Sequence, residues 1–447
     1  MIVAGVSCLA VLLALSWIGT PTSAACPFNG DPRLVYLTFN GDGGFNNMLM
    51  LDTAGNVLGS AIDAATWPAS VPVYKLRAIA KGPDQRLYVA AALGVYSKIV
   101  ALSADVSSEN CTRRFESVFT SVHQRSNPLM VHPYAMEFSR ATGTLFVANQ
   151  NTLSVTRYAS PLSANPGQPL DLAAGSPLPP SSPPGAFVTK RTPLSFANGT
   201  GLLASVRGIA LTNGDRFLIV ADVDGDALHL FTGDSGRHIG TLMASSVKLN
   251  SASSSSTPVS STLRLGCRSP IQIVAVARQS GAANSSNVAF EDFFVTSKAR
   301  GVICNLRVFS NGTMIGHEFP RSTGMSSTSG IWNLGLERSA GAETKPASLL
   351  VADRVGSRLF RVDPATAEVI QPFGPHRFDD EPEHIFVDRV METRRFPICY
   401  ELGPLGMQVS SLCKAGAVYA GLAIATVVWL AVLRVTGRLS ADWWRLA

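Results

Sequence analysis

Residues 207–243 read RGIALTNGDRFLIVADVDGDALHLFTGDSGRHIGTLM, and this stretch decides the fold. Apolar runs, GIAL, FLIVAD and ALHLF, are separated by NGD and DGD, and TGDSG leads to a fourth run, RHIGTLM. Short runs rich in Val, Ile, Leu and Phe between Gly, Asn and Asp clusters predict strands joined by tight turns. Four strands per unit at this spacing describe one blade of a propeller.

Self-comparison outward from this stretch finds the same shape repeated. First and second strands recur as RAIAKGPDQRLYVAA from Arg77 and YAMEFSRATGTLFVANQ from Tyr134. They recur again as QIVAVARQ with EDFFVTSK from Gln272, and as WNLGLERS with SLLVADRV from Trp332. Third and fourth strands follow, as in RLFRVDPATA and EVIQPFG. The ends complement one another. HIFVDRVME at His384 is a first strand with no second, while LVYLTFN, FNNMLMLD and NVLGSAI near the N-terminus are second, third and fourth strands with no first. The expectation is an all-β, six-bladed β-propeller over residues 26–395, closed by strands from both termini so that no sheet edge is left free.

The units RGIALTNGDRFLIVADVDGDALHLF and SLLVADRVGSRLFRVDPATAEVI resemble NHL-type and related six-bladed propellers over about residues 34–395. The second-strand Asp of that pattern is present as Asp222 and Asp353, and is replaced by Ala91, Asn149 and Ser297 in the other units. Such a resemblance implies architecture more than activity. Among related propellers are lactonases and amidating lyases with channel-facing carboxylate, amide or His metal sites. The resemblance therefore implies a calcium or zinc ion here only if the chain is one of those enzymes.

Two insertions interrupt the array. Residues 160–200 are Pro-rich and read as an extended loop, and residues 245–262 are Ser-rich and read as flexible. Residues 396–414 read as a juxtamembrane stalk.

The two ends carry targeting signals. Met1–Ile18 is an uncharged apolar run followed by GTPTSAAC, which fits a cleaved signal peptide over residues 1–25. Residues 415–433, AGAVYAGLAIATVVWLAVL, hold nineteen residues without a charge. As a helix they span about 28 Å, enough for a bilayer core of about 30 Å. Arg434, Arg438 and Arg445 follow and only Lys414 precedes, so residues 434–447 are expected in the cytosol. The expectation is a type I, single-pass protein of the cell surface or secretory pathway. Gly416, Ala417, Ala420 and Gly421 suit helix pairing, and so dimerisation through the span.

Sequons at Asn110, Asn198, Asn284 and Asn311 and six cysteines after residue 25 agree with an oxidising compartment. Cys26 and Cys399 flank the closing blade and are a candidate disulfide, one of fifteen possible arrangements of six cysteines.

Charge excludes some classes of partner. With the three tail arginines and Asp442 removed, 34 basic and 30 acidic residues remain, a net charge of +4 without a basic cluster, so nucleic acid is not expected as a partner. Asp222, Asp224 and Asp226 lack the Gly and Glu of a calcium-binding EF-hand loop and read as a turn. The chain has no GxSxG, HExxH, P-loop or GxGxxG motif, which leans the reading away from catalysis. His384, with His132 as its best partner, is a weak metal constellation beside Glu137, Asn333 and Asp388.

The first residues of the six inner strands are expected at one channel mouth: Arg77, Tyr134, Arg207, Gln272, Trp332 and His384. Arg forks and aromatic faces suit an anionic or polar ligand. The plain alternative is a plug of mutually bonded side chains. The functional expectation is a binding module for a protein, glycan or small polar ligand. The alternative is a metal-dependent hydrolase or lyase.

Overall fold

The computed structural model describes residues 33–389 except 42, 72, 74, 94–96, 108–110, 122–129, 171–185, 190–202, 244–266, 277–289, 300, 319–324, 335–347 and 367. Strands β1 (Arg33–Phe39), β2 (Met48–Leu51) and β3 (Val57–Ser60) come first. Blade one is β4 (Lys75–Lys81), β5 (Leu87–Ala92), β6 (Lys98–Leu102) and β7 (Phe115–Ser121). Blade two is β8 (Pro133–Phe138), β9 (Leu145–Asn149), β10 (Ser154–Tyr158) and β11 (Ala186–Thr189). Blade three is β12 (Val206–Leu211), β13 (Phe217–Asp222), β14 (Ala227–Thr232) and β15 (His238–Met243). Blade four is β16 (Pro270–Ala275), β17 (Phe290–Ser297), β18 (Ile303–Phe309) and β19 (Met314–Glu318). Blade five is β20 (Thr328–Asn333), β21 (Leu349–Asp353), β22 (Arg358–Val362) and β23 (Val369–Phe373), and β24 (Pro382–Arg389) ends the array.

Each blade is a four-stranded antiparallel meander, and β24 joins β1–β3 as the inner strand of the sixth. The closing register pairs Val35 with Val387, Tyr36 with Phe386 and Leu37 with Ile385. Successive inner strands then contact one another all the way round, with β24 touching β4. The six-bladed ring closed from both ends of the chain is therefore present. The Pro-rich segment is more than a loop, because Ala186–Thr189 within it pairs with β10 as the outer strand of blade two.

The core lies between blades rather than within them, because each sheet is buried on both faces by its neighbours. Ile79 and Val89 of blade one pack with Tyr36 and Met50 of the closing blade. Leu218 and Phe231 of blade three pack with Phe146 and Val155 of blade two. Phe293 and Leu306 of blade four pack with Ile219 and Leu230 of blade three. This is why nearly continuous apolar runs, rather than strict alternation, mark the second and third strands.

Asp222 and Asp353 serve the loops of the ring. Asp222 accepts the N–H groups of Ala204, Ser205 and Gly225 at 2.8, 2.7 and 3.1 Å. Burial pushes its carboxyl up, but bonding to His229 and to those N–H groups more than reverses this, leaving it below the ordinary carboxylate range. Asp353 accepts the N–H groups of Ser326 and Ser327, each at 3.1 Å, in the equivalent place of blade five. The second-strand Asp thus pins the segment entering the inner strand of its own blade.

Cys267 and Cys304 form a disulfide within blade four. Cys111 is also disulfide-bonded. Cys26, Cys399, Asn110, Asn198, Asn284, the signal segment 1–25, the Ser-rich segment 245–262 and the span 415–433 lie outside the described residues. Asn311 is exposed in the turn between β18 and β19. Among the described residues no helix is long and apolar enough to cross a membrane.

Candidate functional site

The inner strands converge on the central channel, and their register decides which side chains meet. Each pairs with its second strand through an irregularity near its start, between Leu76 and Ile79, Pro133 and Ala135, Val206 and Gly208, Pro270 and Ile273, and Thr328 and Ile331. The closing blade shifts register at the same height, between Thr38 and Phe39 of β1. Such bulges re-aim side chains. Below them, Ile79, Met136, Ile209, Ile273, Ile331 and Ile385 hold equivalent positions opposite Val89, Val147, Val220, Val295, Val351 and Leu37.

Two residues before these positions stand Arg77, Tyr134, Arg207, Ile271, Ser329 and Glu383. Of the six residues expected at the mouth, three therefore share one level. Gln272 and His384 lie one residue deeper, and Trp332 three residues deeper. The structure brings Arg77, Tyr134 and Arg207 together around Glu383, which the repeat pattern had passed over in favour of its neighbour His384.

Glu383 is buried and carries the cluster. Its Oε2 forms an ion pair with Arg77 Nη1, and its Oε1 accepts the Tyr134 hydroxyl at 3.1 Å. Arg77 Nη2 donates to Asn40 Oδ1 at 3.1 Å. The guanidinium carbons of Arg77 and Arg207 lie 5.1 and 4.9 Å from the Tyr134 ring centre, within cation–π range. Arg207 Nη1 donates to the Tyr134 oxygen at 3.4 Å. Burial, reinforced by the Glu383 charge, pushes the Tyr134 hydroxyl up to about 12, so it remains a donor.

The histidines sit in the same positive field. Burial, followed by the charges of Arg77 and Arg207, pulls His384 down to about 3. Its ring lies 5.0 Å from that of Tyr134. His132, at φ 57° just before β8, is pulled down to about 4 by burial and then by Arg77. Both are neutral at pH 7, and the guanidinium groups that oppose their protonation oppose a divalent cation equally. Among the described residues no three His, Cys, Asp or Glu side chains are grouped to hold a metal ion.

Two further cations border the cluster, both placed just after a second strand. Arg354 follows β21 and is paired with Glu381, Nε to Oε2 at 2.6 Å. Lys298 follows β17, and its ammonium is held below the usual lysine range by burial and then by Arg207 and Arg354, which Asp224 and Glu383 offset only in part. Arg207 Nε is buried without a hydrogen-bond partner. Neither Arg207 nor Lys298 forms an ion pair with a carboxylate among the described residues. The site therefore combines a core in which both Glu383 oxygens are engaged by Arg77 and Tyr134, although Arg77 Nε is also buried without a partner, with two cations that repel each other at its edge.

Sequence reading missed Glu383, Lys298 and Arg354. The signal for the last two is their shared place, one residue beyond the second strand's final Ser297 or Asp353.

Asp224 is exposed in the β13–β14 turn, and Asp226 accepts Ser269 N–H at 2.6 Å, so DVDGD serves as a turn and a tie to blade four.

Searches against protein-family models and against curated proteins find no match. Among solved structures, one from a nidogen/laminin complex is similar over 79% of this chain and 97% of its own, at 11% identity and a TM-score of 0.43. A periplasmic gluconolactonase of Pseudomonas aeruginosa is similar over 80% and 99%, at 14% identity and a TM-score of 0.43. A virginiamycin B lyase from Staphylococcus aureus is similar over 69% and 73%, at 11% identity and a TM-score of 0.39. The six-bladed architecture of this chain rests on its own strand order.

Proposed function

We propose that the protein is a binding module of NHL-like repeats, tethered by residues 415–433 with its propeller outside the cytosol. Its channel mouth takes an anionic group between Arg207 and Lys298. The observation that carries this reading is the pair itself: two cations within each other's field, only partly offset by Asp224 and Glu383, one with a buried, unpartnered Nε. A phosphate, sulfate or carboxylate would supply the missing charge, and a guanidinium with free N–H groups is the side chain best shaped to meet it. Glu383 has both oxygens engaged and holds Arg77 and Tyr134 in place. It acts as a positioning residue.

The test uses inorganic pyrophosphate as probe on the full-length chain. Thermal midpoints are followed during titration against sodium chloride of matched ionic strength. Pyrophosphate should raise the midpoint saturably, corresponding to about 2.7 kcal/mol at a hundredfold excess over Kd. Arg207→Gln and Lys298→Ala should each remove most of that rise. A response equal to that of sodium chloride, or one retained in the double variant, would overturn the proposal.

A further inference from the structure

Beneath the Glu383 level the channel changes character. A cavity of about 490 Å³ begins beside Gln272 and His384 and continues between the inner strands to Pro83 and Arg140. Both of those residues are exposed, so the cavity opens at the end of the channel remote from Glu383. Its volume is that of a small-molecule site. The wall is mostly aliphatic and aromatic, with Met136, Ile209, Ile273 and Phe386 among its members.

Among the polar groups on this wall, the Trp332 indole and the Gln272 amide offer hydrogens that can be donated, and the neutral His384 ring adds one nitrogen of either kind. Trp332 Nε1 and His384 Nε2 are buried and have no partner. His384 is only 4% exposed. Gln272 has its oxygen occupied by Ile331 N–H at 2.9 Å, leaving its amide hydrogens as the group still to be met. Within the cavity charge is neutralised or negative, and the cation Arg140 stands only at its open, exposed end. Lys81 is paired with Asp388 at 2.5 Å, and the Glu137 carboxylate accepts Leu211 N–H at 2.9 Å. An anionic ligand would meet Glu137, whereas a neutral molecule with an acceptor oxygen would meet the donors. Trp332 and Phe386 stand edge to face, 4.8 Å apart, and offer ring faces and edges for a flat apolar body.

We propose that this cavity is a second binding site, separate from the anion site at the mouth, for a neutral ring-bearing molecule whose carbonyl oxygen accepts the Trp332 indole N–H.

The test uses acetophenone labelled with carbon-13 at the carbonyl, titrated into the full-length chain and followed by NMR. Partition into detergent is common to every variant and is subtracted. The wild-type chain should give a saturable component whose carbonyl resonance moves downfield on binding. Trp332→Phe keeps a ring and removes the donor, and should weaken binding about tenfold and abolish the downfield shift. Ala210→Phe places a ring in the cavity and should remove the saturable component while leaving the thermal midpoint within a few degrees. Ala80→Leu serves the same purpose if the first filling variant does not fold. No saturable component in the wild type, or Trp332→Phe and the filled variant binding like the wild type, would overturn the inference. Arg207→Gln with Lys298→Ala should leave acetophenone binding intact, so failure at one site is distinguishable from failure at the other.

Discussion

Asp388→Asn tests the charge that ties the closing strand to the rest of the ring. Asp388 is buried on β24 and holds Arg113 Nη2 at 2.6 Å and Lys81 Nζ at 2.5 Å, both from blade one. Arg113 is fully buried, with its Nε donating to Tyr36 Oη at 2.7 Å and its Nη1 to the carbonyls of Ser103 and Ala104 at 2.6 Å. The amide keeps the shape and one acceptor oxygen but removes the countercharge. Removing one partner of a buried pair costs about 3–5 kcal/mol. The three remaining acceptors on Arg113 place this case at the lower end, about 3 kcal/mol. At about 2–4 °C per kcal/mol in a large domain, the thermal midpoint should fall by about 6–12 °C. The assay is near-ultraviolet circular dichroism of the full-length chain on heating, with Arg113→Met and the double variant completing a cycle. The double variant should be more stable than the sum of the single losses by at least about 1 kcal/mol, because Met leaves no stranded charge. A midpoint within 2 °C of wild type, or an additive cycle, would refute the reasoning.

Gly208 lies where inner strands β12 and β16 approach closely, and a Cβ there would stand 2.0 Å from the Ile271 carbonyl oxygen. Gly208→Ala should cost about 2–3 kcal/mol in urea unfolding, whereas Gly240→Ala, whose Cβ would meet nothing within 4 Å, should cost under about 0.5 kcal/mol. Equal effects of the two substitutions would show that the close approach is unimportant. His384 predicts a pH dependence. Its folded value of about 3 lies below its ordinary 6.5, so between these values the unfolded chain takes a proton that the folded chain refuses. Stability from this group is complete above about pH 6.5 and is lost as pH falls toward 3, by up to about 5 kcal/mol. His384→Gln should flatten that slope in urea midpoints taken from pH 7.5 to 4.5, and parallel profiles for the two proteins would dismiss the assignment.

Most of the ring is legible in the sequence because its punctuation is local. FLIVAD and ALHLF are bounded by Asp and Gly, and the incomplete units at His384 and at LVYLTFN could be joined by counting strands alone. The blade edge in the Pro-rich segment was not legible. Ala186–Thr189 is short, is flanked by Pro and Ser, and becomes a strand through pairing with β10. The site was legible in part. Arg77, Tyr134 and Arg207 share a level because blades one to three begin their inner strands alike. Taking the first conspicuous side chain as the equivalent residue fails in the other three, where that level is held by Ile271, Ser329 and Glu383.

The error in register is informative because its cause is physical. A bulge near the start of each inner strand uncouples the residue before it from the two-residue alternation that follows. A strand read by alternation alone therefore places His384 with Arg77 and Arg207. The hydrogen-bonded ladder instead puts Glu383 there and sends His384 one step inward. That single step separates two environments. Above it, a carboxylate is worth burying because Arg77 and Tyr134 satisfy both of its oxygens. Below it, the wall turns aliphatic and aromatic, and an imidazole pushed to about 3 is neutral enough to belong there. Exchanging the two residues would leave Arg77 facing a neutral ring and bury a carboxylate among apolar side chains. The order Glu-His at the start of β24 is thus what allows one channel to present an anion-seeking mouth and a neutral interior.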